Sequence, residues 1–264
     1  MKKTTLLLAA AWMLLLWFVP EPAKADVDYL REPFTIETTT GSSGTYYIRF
    51  YNSSLYSANY TVTINLDYRL KEATDENFGD WTTVATANTT TAKGLYDKSI
   101  PLAAGKTYII QFRGINSKAF SKESGATTWA SYLDRKDNYQ ILPQSSTSDW
   151  NVTMYGNIMS LIVGYDTDNE VTAKNTLASE NAIPNNYCFT SLFYMHQSYY
   201  TAKGAYSNIN PINYAIIDAS NLIFPATTLK MGCYMNMFNN TYSQANGIKY
   251  GPTFLVTDLN NAAN

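Results

Sequence analysis

The sequence predicts a mainly β protein: an antiparallel β-sandwich followed by a short, irregular solenoid of stacked turns. Three observations carry that prediction. Tyr60, Val62, Ile64, Leu66 and Tyr68 alternate with polar residues, which places the apolar set on one face of a strand. An apolar module recurs, Cys188-Phe189-x-x-Leu192-Phe193 being answered by Cys233-Tyr234-x-x-Met237-Phe238 at an offset of 45 residues. Repeated modules of strand, turn and second apolar cluster suggest stacked turns that cover one another. Charge is sparse, at 15% of residues, whereas the chain holds 22 tyrosines, a residue that half-buried strand surfaces favour.

The chain begins with Lys2 and Lys3 ahead of an apolar run from Leu6 to Val19, broken by Pro20 and followed by Ala23-Lys24-Ala25. This pattern reads as a secretory signal peptide over residues 1–25. The run is shorter than the ~20 residues of a spanning helix, and no second long apolar run follows. The expectation is an exported protein, extracellular or at the cell surface, with no membrane span after signal removal. Cleavage removes three lysines and one glutamate, so the mature chain is a little more acidic than the −2 of the whole. With no basic cluster, nothing marks a footprint for nucleic acid or for anionic lipid.

Residues 26–155 form the predicted sandwich. Strands are expected at Tyr46–Tyr51, Tyr60–Leu70, Trp81–Val84, Ile100–Leu102, Tyr108–Phe112 and Trp150–Tyr155, with turns at Gly41–Gly44 and Ala104-Gly105-Lys106. Pro143–Ser148 reads as a loop, and Trp129–Leu133 stays open between a helical turn and a strand. Residues 156–264 form the predicted solenoid domain. The junction is packed rather than flexible, because Ile158, Met159, Leu161, Ile162 and Val163 require burial. Leu222 aligns with Leu177 in the repeat, and a degraded third start at Phe254–Leu259 lies 30 residues beyond its counterpart. An insertion, His196 to Ala219, separates the two modules. Insertions in solenoids emerge as loops, often on the binding face. Tyr199, Tyr200 and Tyr206 are therefore the candidate partner contacts, against the plainer reading that they pack on the solenoid.

Catalytic motifs are not found. His196 is the one histidine. A Cys188–His196 thiol dyad is conceivable in space, but Cys188 shares its repeat slot with Cys233, which has no histidine partner, so both read as small core residues. The two cysteines as neighbouring thiols and the two joined in a disulfide both stay open. Asp166-Thr167-Asp168-Asn169-Glu170 has the carboxylate spacing of a calcium loop, but Val171 stands where glycine is needed and the closing glutamate is missing; it reads as an acidic turn. There is no nucleophile elbow, P-loop or His-Glu-x-x-His. No cofactor, metal or catalytic residue is assigned.

Pro225-Ala226-Thr227-Thr228-Leu229-x-x-x-Cys233-Tyr234-x-x-Met237-Phe238 resembles the repeat of the BspA-type leucine-rich-repeat surface proteins of bacteria. Tyr155–Ile162 resembles the segment ahead of the first such repeat. Leu102–Tyr108, leading to Gln111-Phe112-Arg113-Gly114, resembles the β-domain placed before the array. The resemblance implies a leucine-rich-repeat-like domain after a β-domain, and adhesion or surface binding. Those proteins carry many regular repeats of about two dozen residues, whereas this chain has two irregular modules and a fragment. The expected function is an exported, non-catalytic binding or adhesion protein recognising a protein or glycan surface. The alternatives are an exported carbohydrate-active enzyme or its sugar-binding accessory, and a structural remnant without a ligand.

Overall fold

A computed structural model describes residues 27–53, 64–85, 95–114, 139–146, 150–183, 188–189, 192–193, 213–214, 216–230, 233–234, 237–238, 248–250 and 253–254. The strands are β1 (Thr35–Thr39), β2 (Tyr46–Ser53), β3 (Ile64–Glu72), β4 (Thr82–Ala85), β5 (Leu95–Leu102), β6 (Thr107–Gly114), β7 (Tyr139–Ser145), β8 (Asn151–Asn157), β9 (Asn213–Tyr214), β10 (Ile216–Phe224), β11 (Ile248–Tyr250) and β12 (Thr253–Phe254). Among the described residues, a 3-10 turn (Ile158–Leu161) and an α-helix, α1 (Glu170–Ser179), lie between β8 and β9. The strands form two sheets. The larger runs β11-β10-β8-β1-β6-β3-β4, with β12 also on β10, and the smaller runs β5-β2-β7-β9.

The sheets pack face to face on the apolar sides that alternation created. Tyr46, Ile48 and Phe50 of β2 meet Ile36, Ile110, Phe112 and Trp150 in one buried cluster. Tyr46 sits edge-on to Trp150 at 5.5 Å, and Phe50 edge-on to Phe112 at 6.1 Å. Leu66 is fully buried and Tyr68 packs on the same core, as the alternation of β3 requires; residues 60–63 lie outside the described residues.

The larger sheet is mixed. From β8 through β1, β6, β3 and β4 every pairing is antiparallel. β10 joins β8 in parallel, and β11 and β12 join β10 in parallel on its other edge. Parallel neighbours need a long crossover, and α1 lies in the first of these. The sheet is thus continuous across residue 156, from the strands before it to β10. Phe224 pairs with Phe254 in register, the spacing of 30 residues seen in the degraded third start.

The two apolar modules lie side by side. Phe189 N donates to the Cys233 carbonyl at 2.8 Å and Phe193 N to the Met237 carbonyl at 2.9 Å. Each module closes the same turn: Leu192 N donates to the Phe189 carbonyl, and Met237 N to the Tyr234 carbonyl. Phe189 stacks on Tyr234 with rings 2° from parallel, and Phe193 stacks on Phe238 at 5.1 Å. Both cysteines are buried thiols in equivalent slots, not a disulfide. Phe34 stacks on Phe112 at 5.4 Å and reaches Phe193 at 5.5 Å, so aromatic contacts run from the two-sheet core into the stacked turns.

Two local expectations need correction. Pro143 to Ser145 belong to β7, not to a loop. Ile141 N donates to the Leu192 carbonyl, away from β2. Residue 143 points its backbone groups the same way, so proline removes no bond to β2, and the strand tolerates it. Leu177 and Leu222 are not equivalent: one lies in α1, the other in β10. Asp166 to Asn169 form a turn, as the sequence reads: Asp166 accepts from Asp168 N, and Asn169 then caps α1 by accepting from Thr172 N at 3.3 Å.

Candidate ligand-binding face

The outward face of the larger sheet carries the polar half of each alternating strand. On β3 this half is Asp67, Arg69 and Lys71; on β6 it is Gln111 and Arg113, with the apolar Ile109 on the same face. Register then places Arg69 opposite Gln111, Gln111 opposite Thr35, and Thr35 opposite Tyr155. One row along, Lys71, Ile109, Glu37 and Thr153 follow each other across the sheet.

At the β3–β4 end, aromatic rings and cations interleave. The Arg69 guanidinium lies 4.5 Å from the Phe78 ring centre and 4.8 Å from that of Trp81. Arg113 lies 4.3 Å from the same indole, and Lys71 lies 5.2 Å from Phe78. Such contacts are worth about 0.5–2 kcal/mol each, more as water is excluded. Arg113 is compensated: it pairs with Asp67 at 3.2 Å and donates to the Tyr165 carbonyl at 2.7 Å. Asp67 also accepts from Thr83 Oγ1 at 2.8 Å. Arg69 differs. Its Nε donates to Gln111 Oε1 at 2.8 Å, and it meets no carboxylate among the described residues. Burial pushes its pKa below the ordinary arginine value, opposed by the more distant Tyr165 and Glu170. The indole N–H of Trp81 is buried without an acceptor.

At the other end lies an open groove of about 460 Å³, lined among the described residues by Glu37, Thr38, Thr39, Thr40, Gly41, Asn151 and Thr153. Thr39, on its lining, shares a hydroxyl hydrogen bond of 2.8 Å with Thr107 of β6. Tyr155 flanks it and packs edge-on to Tyr29 at 5.6 Å. Burial, then the Glu37 carboxylate, pushes the Tyr155 phenol well above its usual value. A hydroxyl- and amide-lined groove with one carboxylate can exchange hydrogen bonds with a polyhydroxylated ligand.

Helix α1 and the N-terminal segment bound this face. Lys174 bridges Glu32 at 2.9 Å and Glu170 at 3.3 Å, and the Glu32 hydrogen bond raises its pKa. Tyr165 is buried against the sheet, its phenol pushed up by burial and then by Glu32. Among the described residues no group of His, Cys, Asp and Glu is placed to hold a metal ion, and no helix is long and apolar enough to cross a membrane.

Tyr199, Tyr200 and Tyr206, with His196, lie outside the described residues, as do residues 1–26. Arg69, Trp81 and Phe78 were not singled out by the sequence. The available signal was an arginine on the polar side of β3, followed by the aromatic turn Phe78-Gly79-Asp80-Trp81. Compared with family models, with curated proteins and with solved structures, the chain matches none.

Proposed function

We propose that this chain is an exported, non-catalytic recognition protein of the BspA-like leucine-rich-repeat kind, carried at the cell surface or secreted. In this reading residues 1–25 are a cleaved signal peptide, residues 26–155 a β-sandwich, and residues 156–264 a short irregular solenoid. The supporting observation is the stacking of Cys188–Phe193 on Cys233–Phe238, with the same closing turn in each and paired rings between them. Stacked repeats present an extended surface. Beside it the large sheet displays aromatic, hydroxyl and amide groups of the kind that anchor and orient a bound surface.

The test uses residues 26–264, labelled and applied to a glycan array and to immobilised matrix proteins, with polysaccharide hydrolysis assayed in parallel. Saturable binding without turnover is expected. Hydrolysis of any polysaccharide, or a blank on both surfaces, overturns the reading. Residues 1–25 fused to a reporter should direct its export, and a reporter retained inside the cell removes the exported part.

A further inference from the structure

We propose that the groove over β1 and β8 binds a neutral glycan chain, with Glu37, Thr39, Asn151 and Thr153 meeting the hydroxyls of one sugar ring. This rests on the recognition reading and narrows it to a site and a ligand class.

The four groups lie together by register. Glu37 pairs with Thr153 and Thr39 with Asn151, and all four face outward because Ile36, Thr38 and Val152 point into the core. Strand spacing and alternation set them at the corners of a rectangle of roughly 5 by 7 Å. A pyranose ring with its hydroxyls covers such a rectangle. All four line the same open groove of about 460 Å³, within the ~300–1,000 Å³ of small-ligand sites. The backbone beneath is fixed. The Trp150 indole N–H donates to Thr38 Oγ1, which donates to the Asn151 carbonyl at 3.0 Å. Thr40 Oγ1 donates to the Ala103 carbonyl at 2.8 Å and accepts from Lys106 N at 3.0 Å. Those hydroxyls are committed to the fold, whereas the Asn151 amide and the Thr153 hydroxyl meet no protein partner among the described residues. A ligand there replaces water without breaking a bond of the fold, and it finds the site already ordered.

The charge pattern selects a neutral chain. Glu37 is in no ion pair among the described residues, and Asp218 follows Thr153 across the sheet. Two carboxylates with only Thr153 between them repel phosphate, sulfate and acidic sugars. An ammonium ligand gains little, because an ion pair open to solvent is weak. Hydroxyls suit the set: a carboxylate accepts from two adjacent ones, a carboxamide both donates and accepts, and a threonine does either. Because the groove is open, it admits an internal stretch of a chain as well as its end.

Calorimetry on residues 26–264 tests the proposal, with cellotriose, maltotriose, mannotriose, trigalacturonate and chitosan trimer as probes. At least one of the three neutral trisaccharides should bind saturably, and more tightly than the acidic and the cationic probes. Glu37→Gln, Asn151→Ala and Thr153→Val remove a charge, an amide and a hydroxyl from the groove surface. Each should weaken that binding by about fivefold at an unchanged Tm. A second measurement needs no variant: on adding the same trisaccharide, the amide NMR shifts of the unmodified chain should change most at residues 37–41 and 151–153. No binding of any neutral trisaccharide, or tighter binding of trigalacturonate or chitosan trimer, sinks the proposal. Undiminished affinity in Glu37→Gln and Thr153→Val, or shifts centred elsewhere, does the same. If those variants bind the glycan array or the matrix proteins as the unmodified chain does, the recognition reading stands and this site alone falls.

Discussion

Asn157 shows how one side chain can hold three segments. It is fully buried, yet its amide nitrogen donates to the Leu30 and Leu177 carbonyls, both at 3.0 Å, and its oxygen accepts from Met159 N. The N-terminal segment, the end of α1 and the 3-10 turn therefore share one residue. Asn157→Ala removes all three bonds, although the Leu177 carbonyl keeps the Glu180 N–H, and should cost about 2–4 kcal/mol, read as a shift in urea midpoint with an unchanged slope. The neighbouring Gly156 has φ +86°, and a Cβ there would lie 2.2 Å from the Pro33 carbonyl oxygen. Gly156→Ala therefore forces the backbone apart and should destabilise at least as much as the Asn157 change; an unaltered Tm would contradict this. None of this could be read from composition. An asparagine beside a glycine in the sequence shows neither partner, because Leu30 and Leu177 come from distant parts of the chain.

The elements that could be read in advance were those whose pattern is local. The alternation of β3 appears as Leu66 and Tyr68 inside and Asp67 and Arg69 outside. The spacing of 45 residues appears as Phe189 on Tyr234 and Phe193 on Phe238. What failed was what depends on neighbours. Pro143 reads as a loop residue until the edge it faces is known. Helix α1 buries only Ala173 and Leu177, too thin an apolar stripe to stand out, and its cap residue, Asn169, sits in what resembles a calcium loop. At the site, Arg69, Phe78 and Trp81 are joined by a strand register that their spacing does not reveal, and the candidate tyrosines of the insertion lie outside the described residues. For the stacked turns, a double-mutant cycle of Phe193→Ala and Phe238→Ala should give a coupling of about 0.5–1.5 kcal/mol. Additive costs would mean that the two modules do not support each other.

Across the whole molecule, ring contacts link the two-sheet core to the stacked turns through Phe34, so the two parts should unfold together. A single transition by tryptophan fluorescence and far-ultraviolet dichroism is expected, and separate midpoints would show two independent units. Alkaline pH should act on this common unit. Tyr155 and Tyr165 have phenols raised above their usual value of 10.0, mainly by burial, so the folded state resists their ionisation while the unfolded state does not. The unfolded chain then holds fewer protons above about pH 10, and stability falls as pH rises past that point. Stability over pH 7–9 is unaffected by these two groups. Urea midpoints at pH 8 and pH 10.5 check the direction; a higher midpoint at pH 10.5 would contradict it.

The placement of Pro143 has a further result. Along the outer side of β7, the N–H of Ile141 is taken by Leu192, position 143 has none, and Ser145 is paired by β9. A stray extended chain finds almost no donors there to zip onto. Replacing this proline with threonine would return a donor to that margin, and the first sign should be self-association in concentrated solution rather than a loss of folding.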